Sequence, residues 1–137
     1  MVLTEKRVEE DSLVSLVARR EHLDPTATAY ARANAIKASP RKLGIVANAV
    51  KGMRVEQALL QLQFCKRKVA KDIRTVLTAA MANAENNKML NIDKLFISEI
   101  LVGKAFVLKR GMACSKGRSH PIKKPYSKLT IFVTEMK

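Results

Sequence analysis

The sequence predicts an α+β protein in which a small helical core carries a long, positively charged β-hairpin. Three segments between residues 40 and 86 repeat apolar residues at spacings of three and four, which is typical of amphipathic helices. From Leu95 onward the chain changes to runs rich in β-branched and aromatic residues, as expected for strands. At 137 residues, 47% of them hydrophobic, the chain is long enough for one domain with a modest core.

Each of the three helices has recognisable boundaries. Ser39-Pro40 supplies an N-cap and a proline at the first helical position, so a helix is predicted over Arg41–Lys51, with Gly52 as its terminator. A second helix is predicted over Val55–Phe64. The third and longest is predicted over Lys66–Asn86, ended by a pair of asparagines.

Residues 26–38 are ambiguous between helix and strand. Their alanine content favours a helix. The alternation of Ala29, Ala31 and Ala33 with larger residues favours a strand. The proline at position 40 ends the segment in either case, because a residue that precedes proline avoids the helical region.

The last third of the chain predicts a β-hairpin, with Ile100–Lys109 and Arg118–Lys128 as its arms. Gly111 and Gly117 lie between the arms and are predicted to supply turn freedom. Each arm would span about 33 Å at ~3.3 Å per residue. Three short helices cannot cover arms of that length, so part of the segment 100–128 is predicted to protrude.

Charge is distributed unevenly along the chain, whose formal net charge is +14. Residues 1–24 hold four basic and six acidic residues, whereas residues 25–137 hold 22 basic and 6 acidic ones. The stretch from Ile100 to Thr134 contains eight basic residues and no acidic residue. Such a one-signed field attracts polyanions, and we expect the hairpin to become ordered against an anionic partner.

The first 24 residues are interpreted as an N-terminal extension of a single domain that spans residues 25–137. This extension is predicted to be helical or mobile: residues 4–20 favour a helix only weakly, because Val8, Leu16 and Val17 form a partial apolar stripe, and Pro25 closes the segment. The extension lacks the basic start and apolar core of a secretion signal, and its acidic residues argue against a transit peptide.

The sequence offers no sign of an enzyme. It contains neither a G-x-G-x-x-G motif nor a P-loop, and its two histidines and two cysteines lack metal-ligand spacing. No apolar run approaches the ~20 residues that span a bilayer. We therefore predict no cofactor, metal, membrane span or small-molecule substrate. The two cysteines, Cys65 and Cys114, lack the spacing of a disulfide scaffold, so a reducing compartment is predicted. The few aromatic residues are predicted to lie mostly in the core.

Four stretches resemble one family when taken in order. Ile36–Lys42, IKASPRK, is similar to the I-x-x-S-P-R-K signature of the bacterial large-subunit ribosomal protein numbered twenty-two. Ala79–Asn87 is similar to the A-x-A-N-A-E-N-N that ends the family's long helix. Leu108–Arg110 and Lys116–Arg118 are similar to the hydrophobic-Lys-Arg and the K-G-R of its hairpin tip. The resemblance covers residues 26–137.

The resemblance implies a fold and a function. The fold is three helices packed on a small three-stranded antiparallel sheet, with residues 26–38 as a strand and two strands extended into a long basic hairpin. The function is structural: binding of large-subunit rRNA, help in subunit assembly, and a hairpin tip that lines the nascent-peptide exit tunnel. The implied partners are rRNA, neighbouring ribosomal proteins and the passing nascent polypeptide, and the implied location is the cytoplasmic ribosome.

Charge and resemblance together nominate the site residues. RNA binding is predicted for Ser39, Arg41, Lys42, Lys104, Lys109, Arg110, Lys116, Gly117, Arg118, Lys123, Lys124 and Lys128. The tunnel-lining tip is predicted to comprise Leu108, Lys109, Arg110, Gly111 and Met112. The chain departs from the family pattern at Cys114, where a basic residue is common, and at Gly111, where a bulkier one is common.

Two alternatives stay open at this point. A DNA-binding architectural protein is the second hypothesis, because Ser-Pro-Arg-Lys resembles short minor-groove-binding repeats and a basic ribbon can wrap a duplex. An enzyme is the third, although no pair of catalytic groups supports it. The basic stripe Arg67, Lys71 and Arg74 of the third helix faces either RNA or solvent.

Overall fold

A three-stranded antiparallel sheet with helices packed on one face accounts for residues 27–136, which are the residues that the structure, a computed structural model, describes. The predicted α+β class is confirmed. The prediction of a weak helix within residues 1–24 lies outside the described residues.

The three strands are β1 (Thr28–Ile36), β2 (Leu95–Ala113) and β3 (Ser119–Glu135), with β3 between the other two. The ambiguous alanine-rich segment is therefore a strand. Ala29 and Ala31 are buried against the helices, and their small side chains allow a helix to approach the edge of the sheet closely.

The helices are α1 (Pro40–Val50), α2 (Val55–Phe64) and α3 (Val69–Lys88). The first two match their predicted spans to within one residue, whereas α3 begins three residues later and ends two residues later than predicted. Its end is a left-handed Met89, and the following Leu90 N–H donates to the Ala84 carbonyl at 3.1 Å. This closure needs no asparagine, which is why both asparagines stay within the helix.

The core lies between the helices and the inward face of the sheet. Leu43 of α1, Leu77 of α3 and Leu129 of β3 have no exposed surface. The prediction that aromatic residues lie mostly in the core is wrong for Phe64, which is 79% exposed, and for Phe106, which is 47% exposed. Phe64 is the last residue of α2 and does not belong to its buried stripe, which consists of Val55, Ala58 and Leu62.

The outer edge of β2 is held by the loop between α1 and α2. Gly52 N–H donates to the Ile97 carbonyl, and Ile97 N–H donates to the Met53 carbonyl, both at 2.9 Å. Gly52 has a φ of +79°, a conformation that glycine adopts without the cost other residues carry. The loop thus satisfies backbone groups that an edge strand would otherwise leave open.

Candidate nucleic-acid interface

The hairpin formed by β2 and β3 continues well beyond the end of β1. The pairing of β1 with β3 ends at Ile36 and Ser127, whereas β2 and β3 remain paired to Ala113 and Ser119. Residues 105–113 and 119–126 therefore form a two-stranded ribbon, which we call the distal ribbon. Its nine residues on the β2 side span about 30 Å at ~3.3 Å per residue. The arms are longer than predicted because pairing continues past Lys109.

The distal ribbon places two lysines directly opposite each other. Lys109 pairs with Lys123 across the two strands, and this pair is flanked by Arg110, which lies opposite Ile122, and by Lys124, which lies opposite Leu108. All four side chains are exposed. Like charges at directly opposed positions destabilise a strand pair, and a two-stranded ribbon is marginal in water even without them. No acidic residue is available between Ile100 and Thr134 to relieve this repulsion. The geometry therefore favours a polyanion beside the ribbon.

The two faces of the distal ribbon differ in the size of their side chains. On one face Arg110 lies opposite Ile122, and Met112 lies opposite His120. On the other face Gly111 lies opposite Pro121, next to Lys109, so the surface there is shallow. Alternation along a strand produces this difference. A ligand can approach the backbone closely on the shallow face, with lysine side chains beside it.

The turn at the end of the ribbon corrects the prediction for Gly111. Gly111 does not lie in the turn; it is a strand residue, and a Cβ built on it would meet nothing within 4 Å. The left-handed positions are Lys116, with a φ of 59°, and Gly117, with a φ of 68°. Cys114 N–H closes the loop by donating to the Arg118 carbonyl at 2.8 Å. Only Gly117 carried a sequence signal for this turn, because lysine is not a typical left-handed residue.

Alanine is expected to have different effects at Gly117, which lies in the turn, and at Gly111, which lies in the strand. Gly117→Ala introduces a Cβ at a positive φ and is expected to destabilise the turn by about 1 kcal/mol. Hydrogen exchange at the Cys114 amide should accelerate about fivefold as a result. Gly111→Ala serves as the matched control and should leave that rate unchanged. Equal rates in the two variants would contradict the assignment of the turn.

An aromatic pair marks the base of the distal ribbon. Ala105 and Phe106 occupy the register shift between Lys104 and Val107, opposite the single residue Tyr126. The rings of Phe106 and Tyr126 stack, with centroids 4.6 Å apart and planes at 14°. Such a bulge bends a hairpin, and the stacked rings stabilise the bend. Sequence patterns do not reveal this pair, because aromatic residues at apolar periodic positions are expected in the core.

The N-terminus of α1 lies beside the base of the ribbon. Ser127 Oγ donates to the Ala38 carbonyl at 2.7 Å, and Ser127 is paired with Lys104 on β2. Ser39, which follows Ala38 in the chain, caps α1 by accepting the Lys42 N–H at 3.5 Å. One hydrogen bond thus joins the helix terminus to the basic hairpin.

The predicted RNA-binding residues therefore fall into two neighbouring groups. The first group lies around the α1 N-terminus and the ribbon base: Ser39, Arg41, Lys42, Lys104 and Lys128. The second group lies on the distal ribbon and its turn: Lys109, Arg110, Lys116, Gly117, Arg118, Lys123 and Lys124. Ser39 is partly buried, and the other members of both groups are exposed. Leu108–Met112, predicted as the tip, occupy strand positions below the turn.

A second basic surface lies on α3. Lys71 and Arg74 border a shallow groove that also includes Thr75, Thr78, Ala79 and Ala82. The hydroxyls of Thr75 and Thr78 donate to the carbonyls four residues earlier, at 3.1 and 3.0 Å, so both side chains fold back onto the helix. Both hydroxyls are therefore satisfied within the helix, and the groove lies beside the Lys71 and Arg74 side chains.

Residues 27–136 bring together no group of three or more His, Cys, Asp or Glu side chains that could hold a metal ion. Within the same range, no helix is long and apolar enough to cross a membrane.

The fold and the surface define a class: a small α+β domain with a protruding cationic ribbon that contains no acidic residue. Comparison with known sequences identifies the member of that class. The family model of "Ribosomal protein L22p/L17e" matches residues 31–134. The chain belongs to this family.

Relatives described as "Large ribosomal subunit protein uL22" cover most of the chain. The protein of Rickettsia felis is 50% identical over 107 residues, which are 78% of this chain and 90% of the relative. The protein of Phenylobacterium zucineum is 43% identical over 107 residues, 78% of this chain and 85% of the relative. That of Caulobacter vibrioides is 39% identical over 118 residues, 86% and 94% of the two chains. The resemblance inferred from four motifs is confirmed.

Proposed function

We propose that this chain is a structural component of the large ribosomal subunit, that it binds large-subunit rRNA through the distal ribbon and the α1 N-terminus, and that it helps the subunit assemble. Its family membership supports a structural role rather than an enzymatic one. Its further partners in this proposal are neighbouring ribosomal proteins and, at the ribbon end, the nascent polypeptide in the exit tunnel.

The observation that carries this proposal is the Lys109–Lys123 pair on a ribbon without acidic residues. In the free protein the pair is repulsive, whereas beside phosphates both lysines release counterions from the RNA and contribute to affinity. RNA binding therefore accounts for an arrangement that costs the free domain stability. The shallow Gly111–Pro121 step next to the pair allows a sugar-phosphate backbone to approach the ribbon closely.

The α1 N-terminus supports a second phosphate contact. The first backbone N–H groups of a helix have no intrahelical acceptor, and they attract anions. Arg41 and Lys42 are exposed beside these groups, and the first turn of α1 contains no acidic residue. Lys104 lies in the same region through the Ser127–Ala38 hydrogen bond. Pro40 has no N–H and the Lys42 N–H donates to Ser39, so a phosphate at this position would meet the Arg41 N–H together with the cations.

Two substitutions of Ser39 separate its capping role from its proposed RNA role. Ser39→Asp retains an acceptor for the Lys42 N–H, so we expect unchanged thermal stability. The added carboxylate would repel the phosphate and lower rRNA affinity by about fivefold to tenfold. Ser39→Ala keeps the site neutral and should cost about 0.5–1 kcal/mol of stability. Unchanged rRNA affinity of Ser39→Asp would contradict the phosphate assignment at α1.

The experiment that tests the function is binding to protein-free large-subunit rRNA across a salt series, with duplex DNA as competitor. We expect specific protection of rRNA that survives near-physiological salt and is not displaced by an equal mass of duplex. If duplex competes equally and the salt slope accounts for all of the affinity, the DNA-binding alternative or a general polyanion binder would replace the proposal.

The tunnel assignment has its own experiment. Arg110 and Ile122 are directly paired, so the whole segment 111–121 can be replaced by Asn-Gly, which closes a two-residue hairpin turn. The core and the Lys109–Lys123 pair stay in place. We expect ribosomes with the shortened ribbon to lose crosslinks between a stalled nascent chain and this protein. Replacement of the same segment by an unrelated loop of equal length is the control, and it should retain crosslinks. Crosslinks that persist in the shortened variant would contradict the tunnel assignment.

A further inference from the structure

Phe106, at the base of the distal ribbon, exposes an aromatic ring to solvent. The side chain is 47% exposed although its ring stacks on Tyr126. Because Tyr126 covers one face of the ring, the exposed surface lies mainly on the other face and at the ring edge. Neither residue belongs to the core that residues 27–136 form beneath the helices. The ring therefore offers a free apolar face on a strand that also carries the basic residues of the ribbon.

Two lysines flank the aromatic pair on the same face of the ribbon. Successive side chains of a strand point to opposite faces, so Lys124, Tyr126 and Lys128 project from one face of β3. Phe106 lies on that face too, because its ring stacks on Tyr126. Both lysines are exposed, and each is about 7 Å along the strand from Tyr126 at ~3.3 Å per residue. The free ring face thus lies beside two cations.

Gly103 leaves the surface next to Lys128 without a side chain. Gly103 is paired with Lys128 in the β2–β3 register, which places it on the same face as the aromatic pair. Among the described residues, a Cβ built on Gly103 would meet only the Lys128 Cβ, at the ordinary contact distance of 3.9 Å. A planar ligand that contacts Lys128 can therefore approach the backbone closely at this position.

We propose that the free face of Phe106 stacks on an unpaired nucleobase of the bound RNA, while Lys124 and Lys128 contact the phosphates on either side of that nucleotide. This inference rests on the proposed rRNA-binding function and adds base stacking to its phosphate contacts. Aromatic rings beside cations bind unpaired bases in this way, with little dependence on which base is present. The RNA at the ribbon base is therefore a loop, a bulge or a single strand rather than a regular duplex.

The charges around the ring favour RNA over a protein partner. The stretch from Ile100 to Thr134 contains no acidic residue, so both lysines lack an acidic neighbour along the hairpin. An RNA strand supplies a phosphate on each side of every base, whereas a protein partner would need acidic residues on both sides of one apolar side chain. A second copy of the chain would bring the same cations against Lys124 and Lys128.

Tryptophan fluorescence tests the stacking contact directly. The chain contains no tryptophan, so Phe106→Trp introduces a single fluorophore at the stack. We expect protein-free large-subunit rRNA to quench this fluorescence strongly, because the indole would stack on a base. Phe64→Trp is the matched control: Phe64 is 79% exposed at the end of α2 rather than on the ribbon, so its fluorescence should change little.

The possible failures of this experiment are distinguishable. Binding of rRNA without quenching of Phe106→Trp would overturn the stacking contact and leave the proposed function intact. No rRNA binding by the unsubstituted chain would overturn both. Equal quenching of the two variants, or equal quenching of Phe106→Trp by polyphosphate, which has no bases, would also overturn the stacking contact. Quenching that appears when the protein alone is concentrated would identify a second copy instead of RNA.

Affinity measurements separate the ring from the charges. Phe106→Leu should lower rRNA affinity about tenfold, whereas Phe106→Tyr, which keeps an aromatic ring, should bind as the unsubstituted chain does. The slope of log affinity against log salt should stay the same in Phe106→Leu and become shallower by about 0.7–0.9 in Lys124→Gln. If Phe106→Leu binds rRNA as tightly as Phe106→Tyr, the ring makes no contact with RNA. If Phe106→Leu instead loses a neighbouring ribosomal protein from assembled subunits, the ring contacts protein, and the proposal fails.

Discussion

Neutralising Lys109 and Lys123 is expected to weaken rRNA binding strongly while leaving the free domain as stable as before or slightly more stable. The double variant Lys109→Gln, Lys123→Gln removes two proposed phosphate contacts. The slope of log affinity against log salt should therefore become shallower by about 1.4–1.8, and affinity at moderate salt should fall by roughly a hundredfold. Stability should not fall, because the substitution removes a repulsive cross-strand pair from an exposed ribbon.

The control for this experiment carries the same change of charge elsewhere. Lys88 at the end of α3 and Lys94 just before β2 are exposed and lie outside both proposed RNA-binding groups. Lys88→Gln, Lys94→Gln should shift the salt slope little, because no specific phosphate contact is lost. The comparison is made by binding to protein-free large-subunit rRNA at four or more salt concentrations. Equal losses in the two double variants would mean that net charge alone drives binding, and the ribbon assignment would fail.

Removing the side chain of Leu129 is expected to have the largest effect on stability. Leu129 lies on the central strand, pairs with Ala33 on one side and Val102 on the other, and has no exposed surface. Leu129→Ala combines lost burial with a cavity, so it should cost about 2–5 kcal/mol. For a domain of this size the expected fall in Tm is about 10–20 °C.

The exposed neighbour Lys128 provides a control on the same strand. The Lys128 side chain is exposed, so Lys128→Ala should change the free energy of unfolding by less than about 0.5 kcal/mol. Urea unfolding followed by circular dichroism measures both variants. If Leu129→Ala unfolds at the same urea concentration as Lys128→Ala, then Leu129 does not belong to the cooperative core that the structure describes.

The sequence predicted the helices well because their signals are local. Ser39-Pro40 marks the start of α1, and apolar spacing locates α2 to the residue. The alanine-rich segment 26–38 could not be decided by its own residues, because a strand of alanines is stable only where a helix packs against it. Asn83 Nδ2 donates to the Tyr30 carbonyl at 3.0 Å, and this contact joins residues 53 positions apart. Only the family resemblance resolved that element.

The candidate site was predictable in its charge and less so in its geometry. A stretch without acidic residues identifies the hairpin without any knowledge of the fold. The place where the turn falls depends on strand register, which is set by two bulges in the β2–β3 ladder and cannot be read from glycines alone. The glycines alone therefore predict a turn that includes Gly111, whereas Gly111 lies in a strand. The proximity of the α1 N-terminus to the ribbon rests on the Ser127–Ala38 hydrogen bond, which local sequence patterns do not reveal.

The central position of β3 also determines how the domain transmits mechanical load. The strand that returns from the far end of the ribbon is the one bonded on both sides, to β1 and to β2. A pull along the ribbon axis therefore enters the sheet at its middle and runs parallel to the strands. Both ladders resist it in shear, so many hydrogen bonds must yield together. Tension on the distal ribbon is thus distributed over all three strands, and the sheet resists displacement of the ribbon.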